Sequence, residues 1–270
     1  MLSGEVHRSS AGQRTDHQHA EGKSLRTRIA TLALLALTAA ALPAKAQGPD
    51  YITKNLRYTK AAIAKRQASA KQQATHPGGT AVQLESLLSA LTLQAPDLRP
   101  DVLRIAFNAA QSAASRGLVK RTDLLTVIDY TLPSSQPRLF VFDLAARKLL
   151  FRELVAHGKN SGGDRATFFS NKPESLATSL GLFVTADPYI GSHGYSLRLR
   201  GLQTGVNDKA WDRHIVMHGA AYVSSAAIRT LGRLGRSFGC PAVRPEISRA
   251  MIEKLRGGSP VFAYYSTTHG

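Results

Sequence analysis

A mostly β (α+β) domain, a β-sandwich or barrel with a small helical segment on its N-terminal side, is what the sequence predicts. Three observations predict it. From Thr122 onward, short β-branched and aromatic runs alternate with turn residues, the pattern of strands. Helical periodicity is confined to two segments before that point and one near residue 250. Strands and helices do not alternate regularly, as a βαβ fold requires, and no internal repeat is present.

The elements follow in order. Residues 29–42 form an uncharged apolar stretch after Lys23, Arg26 and Arg28, and Ala44-Lys45-Ala46 comes next. A basic region, a short apolar region and a small-x-small site predict a signal peptide over residues 1–46. The stretch falls short of the roughly 20 residues a span needs, so no stable membrane span is expected after cleavage. Residues 47–80, rich in Lys, Gln, Ala, Thr and Gly, predict a flexible tether, because they bury too little surface to offset chain entropy.

A helical N-terminal subdomain is expected over residues 81–121. Val82, Leu84, Leu87, Leu88 and Leu91 recur at helical spacing. A second helix opens at Pro100-Asp101 and runs to Gly117, with proline near its start and glycine past its end. Residues 122–270 then form the main domain. Strands are expected at 124–130, 138–143, 148–155, 180–185, 195–199, 214–217 and 260–265, with a helix at 245–255. The 138–143 and 148–155 runs read as a hairpin around Leu144-Ala145-Ala146-Arg147, a spacer that lacks glycine. A polar loop rich in Gly, Ser and Asn separates it from the strand at 180.

The chain carries 35 Lys and Arg against 18 Asp and Glu, a net charge of +17. Residues 1–46 hold six of the former and three of the latter, so their removal leaves 29 against 15, or +14. That balance favours an anionic partner. The basic residues are scattered and no nucleic-acid motif is present, so no nucleic-acid partner is expected. If exported, as its N-terminus predicts, the protein is expected to meet acidic envelope polymers or anionic lipid instead.

Cys240 is the single cysteine. An unpaired thiol in an oxidising compartment is either buried or used. It sits in Gly235-Arg236-Ser237-Phe238-Gly239-Cys240-Pro241, downstream of Ile215-Val216-Met217-His218-Gly219. An ordinary thiol is only a few per cent thiolate at neutral pH, and an adjacent imidazole that takes its proton makes it a nucleophile. The glycine-flanked loop can turn the Gly239 and Cys240 N–H groups toward an oxyanion. His157, His193 and His214 lie on separate segments with no zinc-type spacing, so no metal is expected.

His218-Gly219 followed by Ser237-Phe238-Gly239-Cys240 resembles the HG…S-x-G-C signature of the YkuD-like L,D-transpeptidases. Asp129-Tyr130-Thr131-Leu132-Pro133-Ser134, Val155-Ala156-His157-Gly158, Phe169-Ser170-Asn171 and Ser179-Leu180-Gly181 extend the resemblance to about residues 122–265, in the murein L,D-transpeptidase branch. The resemblance implies a YkuD-like catalytic domain over residues 122–270 that modifies peptidoglycan stem peptides in the periplasm or cell envelope, without a cofactor. Cys240 would attack the L-centre carbonyl of the stem diamino acid, expel D-Ala, form a thioester and pass the acyl group to an amine, making a 3→3 cross-link. Water as acceptor would make it an L,D-carboxypeptidase.

His218 would be the base, Gly219 its orienting neighbour, and Gly239 an oxyanion donor. Ser237, Phe238, Arg236, Arg244, Ser179 and Gly181 would line the substrate site. The commoner pattern has His or Arg where Phe238 stands, and Arg two residues after the cysteine where Ala242 stands. Arg244 and Arg236 are the two cations available for that role. A metal-dependent wall peptidase and a silent wall-binding module are the other classes weighed.

Overall fold

The computed structural model describes residues 78–267, so the expected signal and all but the last residues of the expected tether lie outside them. Helix α1 spans Gly78–Gln94, starting ahead of the expected boundary, and α2 spans Pro100–Ala114. Pro100 at the first helical turn lacks the N–H that would go unpaired there, and Asp101 complements the helix dipole. The strands are β1 (Leu124–Asp129), β2 (Leu139–Asp143), β3 (Lys148–Glu153), β4 (Gly181–Gly191), β5 (Gly194–Gly201), β6 (Val216–Gly219), β7 (Ala242–Val243) and β8 (Pro260–Tyr264). Helices α3 (Ser225–Leu231) and α4 (Pro245–Leu255) complete the regular structure.

All eight strands join one mixed sheet in the order β3-β2-β1-β8-β4-β5-β6-β7. Its two ends meet: the Ala156 N–H, just past β3, donates to Ala242 O of β7 at 2.8 Å. The sheet is thus a nearly closed barrel. Strands β1 and β8 run parallel, as do β6 and β7, and the other pairs are antiparallel.

One core lies inside the sheet, where Leu124, Ile128, Val141, Leu197, Leu199, Met217 and Val261 meet Met251, Ile252 and Leu255 of α4. The other lies outside it, where Leu91 of α1 and Leu103 and Phe107 of α2 pack on Val127, Phe140 and Phe262. The first two helices therefore share a core with the sheet. Burying each such side chain contributes about 1.5–3 kcal/mol.

Departures from the expected elements have local causes. The β2–β3 turn is closed by Arg147 at φ 54° and by Asp143 Oδ1, which accepts the Ala146 N–H at 2.9 Å. Asp143 and Arg147 do the work usually given to glycine. The strand at 180 runs on to Gly191 because Pro188 sits at a register shift that re-pairs the chain with β5 as a hairpin. β6 starts at Val216, not His214, since His214 takes φ 52° and the Ile215 N–H donates to Ala210 O. Helix α3 was not expected; Ser224 Oγ caps it by accepting the Ala227 N–H at 3.2 Å, and Gly232 ends it at φ 68°.

Candidate active site

The site is assembled where β6 and β7 run side by side. His218 is in register with Ala242, so Cys240 enters the sheet edge two residues earlier, beside Val216. The Val216 N–H donates to Cys240 Sγ at 3.5 Å, and the thiol in turn reaches His214 O at 3.7 Å. Cys240 is 9% exposed.

Ser237 shapes the loop that carries the thiol. Its Oγ donates to Cys240 O at 2.6 Å and accepts the Gly239 N–H at 3.1 Å. Gly239 holds φ 122°, and a Cβ there would sit 2.9 Å from Ala177 O and 3.2 Å from Arg213 Nη2. Both the left-handed backbone and the close approach demand glycine. Of the two backbone donors expected to face an oxyanion, the Gly239 N–H is already engaged within the loop. Beneath the loop, the Ser237 N–H donates to His157 O at 3.0 Å, and the Lys159 N–H donates to Ser237 O at 2.8 Å.

His218 is buried, with Nδ1 3.0 Å from Gly219 O. An imidazole that donates Nδ1–H to a carbonyl presents Nε2 as the basic nitrogen. Gly219 has a second reason to be glycine: a Cβ would meet Ser248 Oγ at 2.7 Å and Pro245 Cα at 3.2 Å, where α4 crosses β6. His193, at the tip of the β4–β5 hairpin, stacks on His218 with centroids 4.3 Å apart. It thus stands directly beside the His218 ring.

Electrostatics set the resting protonation. Burial pushes the Cys240 thiol up, while the Val216 N–H and the Arg213 charge pull it back. Burial pushes His218 down; the Gly219 carbonyl works against this and His193 with it. Both shifts favour the neutral forms, a thiol at Cys240 and an imidazole at His218. Desolvation penalises both charges at once.

Two further residues belong to the site. Arg213 donates to Ser170 O (2.7 Å), Ser179 Oγ (2.5 Å), Ser175 Oγ (3.1 Å) and Ala177 O (2.6 Å), strapping residues 170–179 against the Gly239 turn. Tyr222 packs against Gly235, and burial together with the Cys240 charge pushes its phenol up to about 12. A cation at the start of an apolar strand is the one signal that points to Arg213. Nothing in the sequence singles out Tyr222.

The remaining expected residues fall in different places. Phe238 projects beside Cys240 in the chain at 66% exposure, with Lys159 Nζ 4.8 Å above its ring. Arg236 donates to Gly162 O at 2.8 Å and Lys159 O at 3.2 Å at the edge of the loop. Arg244 forms a two-pronged pair with Glu153 (2.9 and 2.8 Å), bracing β7 to β3, and is not brought into the cleft. Ser179 Oγ donates to Ser170 O and is held by Arg213. Gly181, at φ 97°, lies in the sheet, where a Cβ would overlap Gln203 Oε1. Among the described residues no three His, Cys, Asp or Glu side chains are grouped as metal ligands, and no helix is long and apolar enough to cross a membrane.

Residues 94–264, more than half of the chain, match the family described as L,D-transpeptidase catalytic domain. Similar solved structures include an L,D-transpeptidase from Mycobacterium smegmatis (13% identity, TM-score 0.33, covering 53% of this chain and 59% of that one). Others are an L,D-transpeptidase from Xylanimonas cellulosilytica (14%, 0.33, 57% and 68%) and the helical cell shape determining protein Pgp2 from Campylobacter jejuni (13%, 0.37, 56% and 51%). The chain spans less than two thirds of the mycobacterial and Campylobacter chains. No curated protein matches it. On the extent of the family match, the protein belongs to the L,D-transpeptidase catalytic-domain family.

Proposed function

We propose that the protein is a peptidoglycan L,D-transpeptidase in which Cys240 is the nucleophile and His218 the base. The observation that carries this reading is the orientation of His218. Its Nδ1 is held on Gly219 O at 3.0 Å, with Nε2 left as the basic nitrogen on the strand in register with the Cys240 segment. No carboxylate is needed to hold the tautomer, because the carbonyl does so.

The chemistry follows from the resting state. The thiol proton, directed at His214 O, passes to His218 as Sγ attacks the L-centre carbonyl of the stem diamino acid. The Sγ–C bond forms, and the Cys240 N–H is the backbone donor still available to the developing oxyanion. Collapse breaks the C–N bond, and the imidazolium protonates the leaving D-Ala amine. A second amine, deprotonated by His218, then attacks the thioester, and the thiol regains its proton. Arg213 offsets the negative charge on sulfur during the first step. Residues 1–46 would direct the protein to the envelope and residues 47–80 would tether the 122–270 domain with its 81–121 brace.

Mass spectrometry of peptidoglycan digests after incubation with purified protein tests the reading. The expected products are 3→3 cross-linked dimers and free D-Ala. Tripeptide without dimers assigns water as acceptor; unchanged muropeptides overturn the proposal. A carbapenem should add its mass to the wild-type chain and not to Cys240→Ala. In His218→Ala the same acylation should slow by about 10²-fold or more.

A further inference from the structure

Away from the Cys240 loop, the outer face of the β4–β5 hairpin carries a stack that the acyl-transfer chemistry does not use. Arg198 Cζ lies 4.5 Å from the Tyr189 ring centroid and 5.1 Å from that of Trp211. Arg200 Cζ lies 4.8 Å from the same Trp211 ring. Two guanidinium groups thus share one indole, and Tyr189 backs the first of them. Trp211 is the only tryptophan of the chain and is 38% exposed.

Register places the stack on the catalytic side of the sheet. Tyr189 is paired with Ser196, Ser196 with His218, and Arg198 with Val216. Directly opposed residues of antiparallel strands share a face, and alternate residues along a strand do too. Tyr189, Ser196, Arg198, Arg200 and His218 therefore line one face, which leads from the stack to the base.

Six other arginines are already committed to carboxylates. Arg99, Arg104, Arg121, Arg152, Arg244 and Arg256 each pair with a carboxylate. Among the described residues no carboxylate pairs with Arg198 or Arg200, although Asp212 adjoins Trp211 in the chain. A guanidinium held over a ring keeps N–H groups for an external acceptor, and that fork matches a carboxylate.

We infer that the Tyr189–Arg198–Trp211–Arg200 stack is a docking track for a carboxylate-bearing peptide, which it leads along β5 toward His218. The inference rests on the acyl-transfer reading and adds the recognition element on the substrate side. Alternate residues of an extended peptide stand about 7 Å apart, the same spacing as Arg198 and Arg200 along β5. Carboxylates at that interval meet the two forks together. The scattered positive charge of the protein draws such a ligand in and makes its capture salt-dependent.

Binding is measured on the full chain in a Cys240→Ala background, so that no turnover intervenes. The ligands are a stem tetrapeptide with free carboxylates and the same peptide with its side carboxylates amidated. Amidation should weaken binding roughly tenfold, the scale of a lost charged hydrogen bond. R198Q/R200Q should weaken binding of the free acid by about the same factor. Amidation should then cost nothing further.

Unchanged binding in R198Q/R200Q, or an amidation penalty as large as in the parent, overturns the inference. Equal affinity for acid and amide with displacement by inorganic polyphosphate overturns it too, and reassigns the track to a phosphate polymer. R200Q, at the exposed end of the stack, gives the same comparison should the double variant fail to fold. Wild-type turnover of the same peptide is read separately: acid-selective binding without turnover keeps the track and defeats the transferase reading, and turnover indifferent to both arginines does the reverse.

Discussion

Acid should destabilise this protein through His157. The residue is buried, with Nδ1 2.8 Å from Arg138 Nη2 and Nε2 3.5 Å from Gly162 O. A guanidinium can only donate, so Nδ1 accepts, Nε2 carries the proton, and the ring is neutral. Burial first, and the Arg138 charge second, push its pKa from 6.5 down to about 4. The unfolded chain takes up a proton near pH 6.5 and the folded chain does not until near pH 4. Stability is therefore full above the upper value, declines between the two, and has lost its whole contribution below the lower one. That gap is worth about 3 kcal/mol.

His157→Asn removes the titration and keeps an amide oxygen for Arg138. Denaturant unfolding of both proteins at about pH 7.5, 5.5 and 4 gives the comparison. The wild type should lose about 3 kcal/mol more than the variant across that range. Because His157 O holds the Ser237 N–H, alkylation of Cys240 should also become less selective as the wild type is acidified. Parallel pH curves for the two proteins would refute the assignment of a neutral, buried His157.

Three other outcomes are expected. In Gly219→Ala the new methyl meets Pro245 Cα at 3.2 Å, and backbone cannot swing away as Ser248 Oγ can. A loss of about 1–3 kcal/mol and slowed carbapenem acylation should follow, and normal values of both would refute the close approach. Arg213→Met should raise the pH midpoint of Cys240 alkylation by iodoacetamide, and Arg213→Lys should raise it less; a midpoint unmoved in both would remove Arg213 from the thiolate's support. Ser237→Ala loses bonds to Cys240 O and Gly239 N, at about 1–3 kcal/mol in a thermal melt. Its acylation rate should fall further than that destabilisation explains, and an unaltered rate would show that the loop holds its shape unaided.

Much of the scaffold was legible because it is written in short-range pattern. Pro100 and Pro245 open α2 and α4 where proline is tolerated, and apolar runs at Leu124 and Leu139 mark strands buried on both faces. The Cys240 loop was legible through its glycines. Long-range placement was not. Arg244 has the charge a substrate cation needs, yet its carboxylate partner Glu153 lies on a strand far away in the chain. Arg213 reads as one basic residue among many until folding brings four acceptors from residues 170–179 around it. His193 gains its meaning only when the hairpin tip folds over β6. Gly181 reads as a substrate-lining glycine, whereas its role is to admit Gln203 against the sheet.

Strand β8 sits in the middle of the sheet, with Thr126 of β1 paired to Val261 and Phe183 of β4 paired to the same residue. The β1–β3 meander and the β4–β7 segment that carries His218 and Cys240 thus touch through a strand drawn from far downstream. A chain emerging from its N-terminal side can form either piece, but the strand that lies between them in the sheet comes only with residues 260–264. Such non-local pairing belongs to the slow regime of folding, on the order of milliseconds to seconds. The sheet that seats His218 and Cys240 is therefore completed only when the last strand of the domain is in place.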